Sequence, residues 1–224
     1  MLVQHDSDLW SSEHEFGWQA GLITIPVRMT VFRLNDQRLV LHSPVPVSPQ
    51  LRGELDALGP VAFIIVPRAH GKFSAHVSRL FPTAQLIAAP SPPSGRMSSD
   101  PMASLADDPP VAWAGQIESL LVQGFRLNEV VLFHLSSRTL VVTDLCFNIH
   151  NSASQVSRLF FRANGMWQRF GPSRLIRRLA VSDRAALRQS LETVLEWDFE
   201  RIIPGHGSTI ERGGKDALRA AWLS

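Results

Sequence analysis

Apolar residues in 23–34 fall at every second position, at Ile25, Val27, Met29 and Val31, which predicts a strand. Asn35-Asp36 is a turn signal, and 38–42 returns as a second strand, giving a β-hairpin. Ser48 is a good helix N-cap. Behind it Leu51, Leu55 and Leu58 take helical spacing, and Gly59 ends the run. Residues 61–66 are continuously apolar, as expected of a strand buried on both faces. A short helix over 73–81, closed by Pro82, and another buried strand over 85–88 follow. Residues 89–111 are rich in Pro, Ser and Asp, carry no apolar period and read as a long surface loop. Three β-type segments come next, at 112–122, 129–134 and 139–144, the last two joined by a hairpin turn at 135–138. From Ser152 the pattern turns helical through Phe160, Trp167, Leu175 and Leu179. Ser182 then caps a long helix with an apolar stripe at Ala185, Leu187, Leu191, Val194 and Leu195. A final strand at 202–203 and a terminal helix over 215–223 complete the chain.

Strands alternating with helices argue an α/β architecture. Each half runs strands first and helices after, which fits a four-layer αββα sandwich. Residues 1–16 read as a polar N-terminal segment, and 17–224 as one domain interrupted by the 89–111 loop. With 224 residues, 45% of them apolar, there is ample material for a core.

A net charge of +2 predicts no strong overall field. Arg169, Arg174, Arg177 and Arg178 form the nearest thing to a basic stripe and read as a solvated helix face, so no nucleic-acid partner is expected. Cys146 is the single cysteine, which excludes an internal disulfide and reads as a buried, inert thiol. No secretory leader and no run of ~18 apolar residues is present, so no membrane span is expected and the cytoplasm is the default compartment. No Gly-x-Ser-x-Gly elbow, phosphate-binding Gly-Lys-Ser/Thr loop or dinucleotide fingerprint occurs.

Two strings carry more. Leu140-Val141-Val142-Thr143-Asp144 is a β-run ending in Asp, and Ile202-Ile203-Pro204-Gly205-His206-Gly207 is an apolar run ending in Pro-Gly-His-Gly. Together they resemble the second half of a metallo-β-lactamase-fold hydrolase. The stretches 41–46, 128–134 and 137–144 are similar to an uncharacterised subfamily with a degenerate site. The resemblance implies the four-layer αββα sandwich of that superfamily.

It also implies a site, position by position. The superfamily's His-x-His-x-Asp-His string corresponds to Arg68-Ala69-His70-Gly71-Lys72-Phe73, keeping only its second His, as His70. The middle His falls near Phe125, while the bridging Asp and last His are matched by Asp144 and His206. Lys72 in an Asp position exchanges a negative ligand for a positive group. Two unit charges ~4 Å apart interact by ~4 kcal/mol at an effective dielectric near ~20, and a divalent ion doubles that cost. A dinuclear centre is therefore not expected.

With so few ligands kept, the resemblance implies a protein without a cofactor that is non-catalytic or binds small anionic ligands. Arg68, His70, Lys72, Glu129 and His206 would form its ligand-binding set; in the opposing reading the two cations pair internally with Asp144 and Glu129. The alternative is a metal-dependent hydrolase with an altered or mononuclear site. It would hold one zinc, iron or manganese ion on His70, Asp144 and His206, with Glu129, His76 or His134 as further candidate donors.

Overall fold

The computed structural model describes residues 1–90, 103–104 and 110–224. The 89–111 loop reading therefore lies largely outside the described residues. Eleven strands form two sheets among them. The first runs in chain order: β1 (Val3–Asp6), β2 (Leu9–Trp18), β3 (Ile23–Arg33), β4 (Leu39–His42), β5 (Val61–Val66), β6 (Gln85–Ala88) and β7 (Ala103–Ser104). β1 to β4 are antiparallel neighbours, and β4 to β7 are parallel. The second is ordered β11 (Arg201–Pro204), β10 (Thr139–Val142), β9 (Val130–His134), β8 (Ile117–Leu121), with β10 and β11 parallel.

The side-chain period of two divides each central strand between two cores. On β5, Phe63 and Ile65 face Val130, Leu132, Val141 and Ile203 of the second sheet. Ile64 and Val66 face the other way, onto Leu51 and Leu55 of α1 (Pro49–Leu58) and Val77 of α2 (Ser74–Leu80), and Val61 joins them across an irregularity in the β4–β5 register. On β10, Leu140 and Val142 face outward onto Leu187, Leu191 and Val194. Helix, sheet, sheet, helix is thus read directly from which residues share a core.

α1 begins where the sequence says it should: the Ser48 hydroxyl accepts from Leu51 N at 3.2 Å. Other elements differ from the sequence expectation. Residues 1–16 supply β1 and most of β2, with Ser11 and Ser12 buried beside Leu9 and Trp10. The helical stretch after Ser152 is two helices, α3 (Gln155–Ala163) and α4 (Arg174–Leu179), separated where Gly165 takes a φ of 72° and Gly171 is followed by Pro172. Asp183, not Ser182, caps α5 (Arg184–Glu196); its carboxylate accepts from Ala185 N and Ala186 N. α6 (Gly214–Trp222) closes the chain.

Candidate metal centre

The parallel strands put their C-terminal ends on one edge of the sandwich, where open α/β sheets place ligands. Four connections meet there. Ser43 follows β4, His70 lies on the 3₁₀ turn Arg68–Phe73 after β5, Asp144 follows β10 and His206 follows β11. One donor atom from each of His70, Asp144 and His206 falls within a common 4.8 Å. The two Nε2 atoms are 3.1 Å apart. Asp144 Oδ2 is 3.4 Å from His70 Nε2, and Oδ1 is 3.3 Å from His206 Nε2. Ligands ~2.0–2.2 Å from one tetrahedral ion stand about 3.3–3.6 Å from each other. The two Asp144 contacts, each made by a different carboxylate oxygen, fall in that range and the 3.1 Å between the rings lies just below it, so the donor set is close to the spacing of a single ion's ligands.

The rings are aimed by their outer nitrogens. His206 Nδ1–H donates to the Pro26 carbonyl of β3 at 2.8 Å, which leaves a lone pair on Nε2. His70 Nδ1 bonds the Ser43 hydroxyl at 2.7 Å, and Ser43 holds a left-handed φ of 58° to reach it. His206 stacks on Phe147 with centroids 4.7 Å apart. Arg28, buried on β3, donates to the Pro204 carbonyl at 2.7 Å and pairs with Glu13, fixing the turn that carries His206.

The electrostatics favour positive charge between the three side chains. Burial alone pushes the Asp144 carboxyl up, but the two imidazoles hold it well below the usual carboxylate range. Burial pushes His70 down, and the Asp144 carboxylate more than reverses this, raising it above its ordinary value.

The residues expected from sequence divide. His70, Lys72, Asp144 and His206 line a cavity of about 460 Å³. Arg68 lines a separate surface hollow beside Gly124 and Arg126. Lys72 is exposed; its ammonium sits 4.1 Å from the centre of the Phe16 ring and forms no ion pair with Asp144. Phe73 walls the cavity edge-on to Phe16, at 6.2 Å. Glu129 is turned to the backbone, accepting from Thr143 N, Asp144 N and Leu145 N. Neither Arg68 nor Lys72 pairs with Asp144 or Glu129 among the described residues. Phe125 is buried against Trp222. His76 is exposed on α2, and His134 is buried at the far end of β9, bonded to Ser137. Ser43, Arg28 and Glu129's backbone role escaped the sequence reading; the one signal was Ser43's place in the Leu41–Pro46 string.

A family model described as a domain of unknown function, DUF4336, matches residues 6–172. The chain belongs to that family. No curated protein matches it by sequence. Among solved structures it resembles a metallo-β-lactamase from Pontibacter korlensis, at 12% identity and a TM-score of 0.64 over 100% of this chain and 99% of that one. A metallo-β-lactamase from Erythrobacter litoralis gives 15% and 0.62 over 99% and 90%. A metal-soaked flavodiiron core from Synechocystis gives 12% and 0.63 over 100% and 60%. These likenesses establish the metallo-β-lactamase fold.

Proposed function

We propose that this DUF4336 protein binds one divalent metal ion on His70, Asp144 and His206 and hydrolyses an ester or related bond in a substrate with a bulky apolar group. The observation that carries the proposal is the approach of the two Nε2 atoms to 3.1 Å with one Asp144 oxygen 3.3–3.4 Å from each, the outer nitrogen of each ring being already hydrogen-bonded. Two imidazoles and a carboxylate suit zinc or iron better than magnesium or calcium. A metal held there supplies Lewis acidity and a nucleophile at neutral pH. The reading is mononuclear because Lys72 and Phe73 fall at positions where the sequence resemblance would call for further ligands.

The remaining residues give the site its selectivity. Phe16, Trp18, Phe147, Phe160 and Met166 form an apolar wall that excludes water from the reacting bond. Ser43 and the Pro26 carbonyl keep the two rings from turning. Lys72 is the cation lining the cavity and meets a negative group on the substrate. A specific observation, the Lys72 ammonium beside a largely apolar cavity, also favours a second reading: a non-catalytic binder of amphiphilic anions.

Elemental analysis of the purified chain beside His206→Ala separates the two. One equivalent of zinc or iron, lost in the variant, supports the metal reading and directs a screen of aryl and acyl esters. Trace metal after zinc loading and dialysis overturns it and leaves the anion binder.

A further inference from the structure

Most of the large apolar side chains exposed among the described residues lie on elements that wall the cavity. Eight large apolar residues are exposed among the described residues, and five of them, Leu22, Val156, Leu159, Leu175 and Leu179, lie on the β2–β3 hairpin, α3 and α4. Those three elements wall the cavity through Trp18, Phe160 and Ile176. They form one surface. Thr24 N of the hairpin donates to Ser157 Oγ of α3 at 2.9 Å, Trp18 meets Phe160 at 5.5 Å, and Arg174 N donates to the Asn164 carbonyl at 2.8 Å. Single exposed leucines are ordinary, whereas their concentration on one rim marks a contact surface.

The α3–α4 part of this rim is charged with one sign. Residues 145–182 hold six arginines, at 158, 162, 169, 174, 177 and 178, and no lysine, aspartate or glutamate. Arg162, Arg169, Arg174, Arg177 and Arg178 are exposed, and Arg177 also donates to the Ala221 carbonyl of α6. On α3, Val156 and Leu159 share a face with Phe160, and Arg162, with Arg158 behind it, borders that face on its open side. Apolar side chains bordered by arginine on a short helix is the composition of an element that lies in a membrane interface.

We infer that this rim docks on an anionic phospholipid surface. Leu22, Val156, Leu159, Leu175 and Leu179 enter the boundary of headgroups and acyl chains, and the arginines meet the phosphates. No helix among the described residues is long and apolar enough to cross a membrane, so the contact is peripheral. Other occupants fit less well. A nucleic acid would use the arginines and leave five apolar side chains in water. A second copy joined through the same patch would set arginines against arginines. Docking also brings the apolar cavity to a source of acyl-bearing ligands.

The test is cosedimentation of the full chain with vesicles of phosphatidylglycerol and phosphatidylcholine in equal parts, and of phosphatidylcholine alone. EDTA is present throughout, so the outcome is independent of the metal reading. The chain is expected to bind the anionic vesicles at least about tenfold more tightly, and less so as salt rises. Leu159→Glu with Leu179→Glu is expected to weaken binding by about tenfold or more at an unchanged melting temperature, because both side chains are already in water. Arg162→Glu with Arg178→Glu is expected to abolish the preference for anionic lipid. Absence of vesicle binding overturns the inference, as does binding that survives both double variants. A dimer in size-exclusion chromatography that the leucine variants dissolve, without vesicle binding, assigns the rim to a second copy. RNA binding that depends on the arginines alone, again without vesicle binding, assigns it to a polyanion. Either result overturns lipid docking.

Discussion

Glu129 holds Asp144 by its backbone: Glu129 Oε2 accepts from Asp144 N at 2.8 Å and from Leu145 N at 3.1 Å, while Oε1 accepts from Thr143 N at 2.5 Å. The carboxylate is buried just ahead of β9, so it fixes the turn that aims Asp144 at the two histidines. Burial and the Asp144 charge push the Glu129 carboxyl up to about 7, against the pull of the three N–H groups.

Glu129→Gln tests this role. An amide has one acceptor oxygen, so its NH₂ group must face at least one of the three backbone N–H donors. A lost or opposed buried hydrogen bond costs about 1–3 kcal/mol. A disturbed support of a ligand lowers metal affinity by about 10–100-fold. Both effects are expected in thermal melting and zinc titration, run above the carboxyl's own value so that the wild-type group is ionised. An unchanged zinc affinity would reduce Glu129 to a fold-stabilising residue.

Gly205 and Gly207 predict a split between metal affinity and stability. A Cβ on Gly205 would stand 3.1 Å from His70 Cε1 and 3.1 Å from Thr143 Cα, so Gly205→Ala presses on the ring of one candidate ligand. Zinc affinity should fall more than melting temperature. Gly207 has φ +87°, and its Cβ would meet the Asn148 carbonyl oxygen at 2.2 Å. Gly207→Ala should therefore cost several degrees of melting temperature in chelated and loaded protein alike, because the clash is with backbone. Equal losses in both variants would contradict the split.

What the sequence made legible follows from the range over which each feature acts. β5 was readable to its last residue because a double-sided apolar run is a local property. The break between α3 and α4 had a local signal too, in Gly165 and Gly171-Pro172, which the helical period overrode. β2 was hidden because Ser11 and Ser12 are buried polar residues, so burial there does not follow hydropathy. His70, Asp144 and His206 were readable through motif resemblance alone; their convergence is a property of the fold. The contacts that aim them span the chain: Ser43 to His70 crosses 27 residues, Arg28 to Pro204 crosses 176 and Pro26 to His206 crosses 180. Nothing in a local window announces such pairs.

Cys146 is sealed within the core beneath α6, and burial pushes its thiol well above the usual range. The folded protein is therefore expected to resist iodoacetamide at mildly alkaline pH, with full labelling only in denaturant, read by intact mass. Rapid labelling of the native protein would mean that the packing around Leu145 and Trp222 opens.

His42 supplies the pH prediction. Its side chain closes β4 out of contact with solvent. Burial first, and the charge on His70 second, hold it down from 6.5 to about 3. The folded value lies below the unfolded one, so unfolding takes up a proton between the two. This contribution is complete above pH 6.5 and is lost as pH falls toward 3, with a slope approaching about 1.4 kcal/mol per pH unit. His70 acts in the opposite sense: its raised value adds stability that is present below 6.5 and lost as pH rises through the folded value. From these two groups wild type would therefore lose stability on both sides of 6.5, through His42 below it and His70 above it. The difference between wild type and His42→Leu, from urea titrations across pH with metal chelated, largely cancels the His70 contribution. Wild type should lose stability relative to the variant on acidification below 6.5 and run parallel to it above. Parallel profiles throughout would mean that His42 stays hydrated and can charge in the folded protein.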